Sequence, residues 1–433
     1  MHTNAGVAAL RWRLDRAEVS ASAYRLTTLD GWALKLLKMF PQRSDIDPDH
    51  LALSDPRSDY PMIKKAAANL LADEHLDDVL ASTYSRVIVD EYQDCGWEQH
   101  AMVSHLSNVL PTVVLGDSMQ EIFSWQCDHP DRDDDVCSTF WSVGELTTPW
   151  RWIRADAQEF GEWLLEARRT LISGNQIDLR DAPPQVEWIE LDGSEDDLRR
   201  RRACAARSPV SGGSVLIMAA GFQKDLQRKL ARETHGAVTV ENVDLTDVID
   251  FAGSIEIDQP GHVATALSFA SEVMTNVHKA EVLKRIAVLE RQTSRKEATP
   301  SESTAIRYNN SGSASDLLDL FAALENSQGA RTFRPKILRP CLQALRSSAP
   351  GVPGSFLDAA LRIREQGRVL GRRVPPRAVG SPLLLKGLEA DVAVILNAAE
   401  FDRMPSRNMR NLYVAITRGS RKLVVCSQSP VIG

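Results

Sequence analysis

A chain of 433 residues, 43% hydrophobic and 25% charged, can fill two or more hydrophobic cores and has the composition of an ordinary globular protein. It holds no apolar run long enough to span a bilayer and opens on no charged-then-apolar leader, so a cytoplasmic protein without a membrane partner is expected. Six cysteines without C-x-x-C spacing argue against a metal cluster or a disulfide scaffold. Cys127 and Cys137, close to His129 and several aspartates, read as part of a solvated acidic loop. The net charge of −7 is unevenly spread: Arg331 to Gly433 carries 18 Lys+Arg against 6 Asp+Glu, a balance of +12 that leaves −19 on the first 330 residues. A half this basic either faces phosphates or is a solvated arginine-rich surface.

In chain order, residues 3 to about 152 alternate helix-like and strand-like segments, the pattern of a parallel sheet. Ala5–Leu14 and Leu29–Phe40 have helical apolar spacing, the second stopped by Pro41. Residues 44–61, polar and rich in Pro and Asp, read as loop, and 63–80 as helix. Apolar strands follow at Val87-Ile88-Val89 and Val113-Val114-Leu115. A helix over Ala155–Leu171, strands at Val186–Leu191 and Val215–Ala219, and a helix over Lys224–Glu233 begin a second α/β unit. Ala264–Gln292 reads as one long helical stretch, and 293–315, rich in Ser, Thr, Asn and Lys without periodicity, as a flexible linker. Helices are expected over 317–326, 342–347 and 356–366, then strands at 392–397 and 422–426.

The chemistry gathers where strands end. Val89 runs straight into Asp90-Glu91-Tyr92-Gln93-Asp94, an acidic tip on an apolar strand. In nucleotide-hydrolysing α/β folds one carboxylate at such a tip helps hold Mg²⁺ and its neighbour orients the attacking water; an Asp-Glu helix cap is the plain structural alternative. Leu115 leads into Gly116-Asp117-Ser118-Met119-Gln120-Glu121-Ile122-Phe123-Ser124-Trp125, a polar loop closing on two aromatics. Then come Thr147-Thr148-Pro149-Trp150-Arg151-Trp152, Lys386-Gly387-Leu388-Glu389 and Leu412-Tyr413-Val414-Ala415-Ile416-Thr417-Arg418.

This ordered series resembles the superfamily-one DNA helicases of the UvrD/Rep group, through their D-E-x-Q-D, G-D-x-x-Q-x-I-F-x-W, N-Y-R, K-G-L-E and L-Y-V-A-I-T-R motifs; Thr3-Asn4-Ala5-Gly6-Val7-Ala8-Ala9 is similar to their T-N-x-A-A. The resemblance covers 3–152, 186–233 and 381–426, and implies two RecA-like domains of the P-loop-NTPase type with parallel sheets and a reduced helical accessory insertion. On that basis 1–152 is the first domain, 153–234 and 379–433 are the two parts of the second, and 235–378 is the insertion. The implied cofactors are ATP and Mg²⁺, and the implied partner is single-stranded or duplex DNA. Asp90 would contact the metal, Glu91 would activate water, and Gln120 would sense the terminal phosphate. Arg151 and Arg418 would reach the γ-phosphate, Trp150 would stack on adenine, and Glu389 would approach the ribose. Thr3, Asn4, Thr28, Phe123 and Trp125 would meet DNA, the tryptophan by stacking on a base. The compact layout also resembles small members of the group that act beside a nuclease, which makes a nuclease a candidate protein partner.

Three departures stand out. Leu383 replaces the family's histidine before K-G-L-E, and Pro149 replaces its asparagine. More importantly, the family's phosphate loop, G-x-x-x-x-G-K-S/T, precedes its T-N motif, whereas this sequence contains no Gly-Lys dipeptide and its T-N lies at Thr3. The expectation is therefore a first domain that is N-terminally truncated. Either the start is displaced and the full protein is an ATP-dependent translocase or helicase, or the chain is an ATPase-dead, DNA-binding remnant.

Overall fold

The computed structural model describes residues 4–53, 55–122, 129–241, 245–291, 296–350, 352, 354–367, 375–401 and 408–433. The first 122 residues build a helical layer around a parallel strand pair. Strands β1 (Val87–Val89) and β2 (Thr112–Val114) run parallel with Ile88 opposite Val113, joined by the helix Trp97–Val109. Helices Leu29–Met39 and Pro56–Ala72 pack with that connecting helix around Leu36, Leu37, Ile63, Leu70 and Met102. The pair is buried on that side, through Val89, but Ile88 is 63% exposed and Val113 48% exposed on the other.

The second unit is a six-stranded sheet, parallel throughout: β4 (Val186–Glu190), β5 (Val215–Met218), β6 (Val238–Thr239), β7 (Arg377–Gly380), β8 (Ala390–Ile395) and β9 (Gly419–Ser427), in spatial order β4-β9-β8-β5-β7-β6. The central strand β5, Val-Leu-Ile-Met, is buried at every position, as a parallel strand covered on both faces must be. A short β3 (Ile177–Asp178) pairs antiparallel with β10 (Val431–Ile432) beside the helix Gln158–Ile172.

Between β6 and β7 lies a bundle of helices from Thr246 to Gly367 with a core of its own, in which Phe251 stacks on Phe269 at 4.2 Å between ring centres. The stretch 235–378 thus gives its two ends, β6 and the start of β7, to the sheet. Arg334 ties the bundle to the sheet: fully buried, it pairs with Glu241 at 2.6 Å just past β6 and with Asp247 at 2.7 Å.

Three expectations are corrected. Residues 44–61 are not all loop, because Asp47 caps the turn Pro48–Leu51 and Pro56 opens a helix that carries Pro61 in its second turn. The flexible linker at 293–315 is instead the helix Pro300–Ser311, opened by a Thr299/Glu302 capping box and closed by Gly312 at φ 65°, after which Ser313 caps Ala314–Glu325. Residues 292–295 lie outside the described residues. The stretch 264–292 is two helices, Val263–Val273 and Lys279–Glu290, broken where Met274 bridges to Thr332. No helix among the described residues is long and apolar enough to cross a membrane.

Candidate functional site

β1 ends at Val89 and delivers Asp90 and Glu91 to its carboxyl edge, where parallel sheets place their ligand crevices. The Asp90 carboxylate accepts from the Glu91 N–H at 2.9 Å, and Glu91 itself adopts the left-handed conformation, φ 58° and ψ 41°. A non-glycine residue held there stores about 1–3 kcal/mol of strain, so the neighbouring structure must fix it. Gln93 does that from both ends of its amide. Its Nε2 donates to Glu91 Oε2 at 2.6 Å, and its Oε1 accepts from the Asp117 N–H at 3.0 Å. A side chain at Gly116 would lie 3.0 Å from that same Oε1, which is why the turn after β2 carries glycine. Burial, then the charge of Glu91, pushes Asp90 above the usual carboxylate range.

The loop after β2 is held by cations from the second unit. Arg168 bonds Asp117 at 3.0 Å and Arg410 pairs with Glu121 at 3.0 Å. Lys386 donates to the Gln120 carbonyl at 2.5 Å and to both oxygens of Asp94 at 2.6 and 2.7 Å. Both members of the Lys386–Asp94 pair are buried, and burial pushes Asp94 up to about 6 against the pull of Lys386. Arg418 is buried; its Nε donates to Val414 O at 2.8 Å and its Nη2 to the Gln120 side-chain oxygen at 3.2 Å. Desolvation lowers Arg418 to about 10.

Arg151 sits in the short helix Trp150–Ile153 and faces the second unit. It donates to Thr417 O at 2.8 Å and to Glu389 Oε1 at 2.6 Å, while Trp152 donates to Gly419 O at 2.9 Å. Arg13, from the helix Asn4–Arg16, reaches the same Glu389 oxygen at 2.5 Å. Burial pushes the Glu389 carboxyl up, but Arg151 and Arg13 outweigh it and hold the group below its ordinary value. Trp150 is largely exposed beside this cluster.

The structure therefore brings Asp90, Glu91, Gln120, Arg151, Arg418 and Glu389 near one another where the two units meet. Thr28 is elsewhere employed: it caps the helix Leu29–Met39, its hydroxyl accepting from the Gly31 N–H at 3.0 Å. Thr3, Phe123 and Trp125 lie outside the described residues, as does the side chain of Asn4, which begins a helix. No group of three or more His, Cys, Asp and Glu that could hold a metal ion occurs among the described residues. Sequence reading gave no role to Gln93, Asp94, Arg168, Lys386 or Arg410. Three of these stand inside or next to quoted motifs, and the signal that could have singled them out was opposite charge at Asp94 and Lys386. Arg13 carried no signal at all.

No curated protein matches the chain. Residues 57–131, a minority of the 433, match the family model of the UvrD/REP helicase N-terminal domain, and that segment carries both the acidic tip of β1 and the loop gripped by Arg168, Lys386, Arg410 and Arg418.

Proposed function

We propose that this chain is the core of an ATP-dependent single-strand DNA translocase or helicase of the UvrD-like group, with two RecA-like units and the nucleotide between them. The observation that carries the reading is that Glu91, beside Asp90 at the tip of β1, lies within electrostatic reach of Arg151 and Arg418 on the facing elements, while Asp90 lies within reach of Arg13. The donor chemistry fits: one or two carboxylates with water suit Mg²⁺, and planar guanidinium groups suit phosphate oxygens. When bound, Mg²⁺ would neutralise charge on the phosphates. Asp90 would hold the ion. Glu91, aimed by Gln93, would take the proton of the attacking water, and Arg151 and Arg418 would meet the developing negative charge. Gln120, already bonded to Arg418, would report the phosphate to the loop that continues to Phe123 and Trp125, where single-stranded DNA would stack. Trp150 offers an exposed ring face for adenine, and Glu389 a carboxylate for the ribose.

A phosphate cradle of backbone amides with a lysine is the remaining requirement of the motor reading, and an ATPase-silent DNA binder is the second reading. One experiment separates the two. Hydrolysis of ATP is measured with and without oligo-dT for the chain as given and for a chain extended ahead of Thr3 by a strand and G-x-x-x-x-G-K-S/T. The motor reading expects DNA-stimulated turnover in the extended chain, lost on Glu91→Gln. DNA binding without turnover in either chain establishes the silent binder instead.

A further inference from the structure

Arg13 and Arg151 come from helices far apart in sequence, yet both place a terminal nitrogen on one oxygen of Glu389, at 2.5 and 2.6 Å. Neither arginine is spent on a fold-forming contact alone. Arg13 is half exposed, while Arg151 also donates to a backbone carbonyl and lies over the Trp152 ring. Two guanidinium groups converging on a single oxygen form the arrangement that proteins use for phosphate groups, with a carboxylate here in the phosphate's position. The surroundings favour exchange. Asp90, Glu91 and Glu389 face Arg13, Arg151 and Arg418, so the cleft is balanced internally and an incoming anion must displace a carboxylate to be neutralised.

We propose that Glu389 is an internal competitor for a phosphate-binding pair made by Arg13 and Arg151, and that a polyphosphate ligand enters by displacing it. Two sources share this chemistry, a nucleotide and the nucleic-acid backbone. The position beside Asp90 and Glu91 favours the nucleotide, so the inference rests on the reading of the cleft as a nucleotide site. It adds Arg13 as a ligand-contacting residue and gives Glu389 the opposing role of holding the arginine pair against an incoming anion.

The test is calorimetric titration of the full chain and its Arg13→Ala and Glu389→Gln variants with inorganic tripolyphosphate, Mg-ATP and oligo-dT, with circular dichroism confirming that each variant is folded. Removal of a competing carboxylate should tighten tripolyphosphate binding roughly two- to fivefold in Glu389→Gln, the scale of one partly exposed ion pair, and Arg13→Ala should weaken it by a similar factor. Unchanged or weaker tripolyphosphate binding in folded Glu389→Gln overturns the inference, as does the absence of tripolyphosphate binding in all three proteins. The nucleotide reading fails separately. If Glu389→Gln gains affinity for tripolyphosphate while Mg-ATP binds no better than tripolyphosphate, the arginine pair stands and the nucleotide does not. If the gain appears with oligo-dT and not with Mg-ATP, the backbone is the source. If Mg-ATP binds and Glu389→Gln gains nothing with either anion, the nucleotide site stands without the competitor.

Discussion

The Lys386–Asp94 pair is costly to break. Both side chains are nearly removed from water, and the lysine also satisfies the Gln120 carbonyl. Deleting one partner leaves an uncompensated buried charge, so Lys386→Ala should lose about 3–5 kcal/mol in urea melts, and Asp94→Asn/Lys386→Met should recover most of it. The same pair gives a pH signature. Burial holds Asp94 up at about 6, above an unfolded carboxylate near ~3.9. The extra stability from protonating Asp94 in the fold is therefore complete below about pH 4 and is lost as pH rises through 6, leaving the ion pair with Lys386 above it. The urea midpoint of Asp94→Asn should vary less than the parent's across that window; an identical pH dependence would refute the assignment.

Single elements show what the chain does and does not announce. The strand Val87–Val89 is written plainly, three β-branched residues before a polar turn, and so is β5, a run of four buried apolar residues. The side of β1 that faces solvent was not legible, because an apolar run gives no alternation to assign faces. Val89→Ala should cost roughly 1–3 kcal/mol and Ile88→Thr under about 0.5, read from thermal melts. The helix Pro300–Ser311 was hidden for a different reason. Its Ser, Thr and Asn residues look like linker composition, yet Thr299 and Ser313 are caps and Gly312 is the stop between two helices. A methyl at Gly312 would fall 2.2 Å from the Gln259 carbonyl oxygen, on top of an unfavourable φ of 65°. Gly312→Ala should accordingly be among the most destabilising glycine substitutions in the bundle, and a melt equal to the parent's would contradict the packing described. Motif order singled out carboxylates and arginines that the fold places near one another, whereas Arg13 and Gln93 become visible only once their partners are in place.

At the scale of the whole molecule, the lopsided charge turns out to be largely self-complementary. Of the 18 Lys and Arg between Arg331 and Gly433, at least nine are bonded within the fold: Arg331, Arg334 and Arg339 in or beside the bundle, Arg377, Arg421 and Lys422 on the sheet, and Lys386, Arg410 and Arg418 at the cleft. Seven of their side-chain partners, Asp94, Gln120, Glu121, Glu187, Glu241, Asp247 and Glu325, belong to the acidic first 330 residues. The surplus is thus not a uniform coat for nucleic acid. Arg377, which donates to the Cys204 and Ala206 carbonyls, should lower the melting temperature when changed to alanine without altering how oligo-dT binding responds to salt. Arg362 lies in the basic half of the chain, and Arg362→Ala should reduce the salt slope by roughly 0.7 where that half meets phosphates and leave it unchanged where it is a solvated surface. Anisotropy titrations at two salt concentrations measure both.

The grip on residues 117–121 also has a mechanical side. Four cations anchored in the second unit hold Asp117, Gln120 and Glu121, three residues within a stretch of five, at backbone and side chain. A joint clasped over so short a length resists sliding and leaves rotation as the soft motion, the way a door moves on a single hinge pin. Torque applied at the cleft would then be delivered to whatever the next residues along the chain are holding.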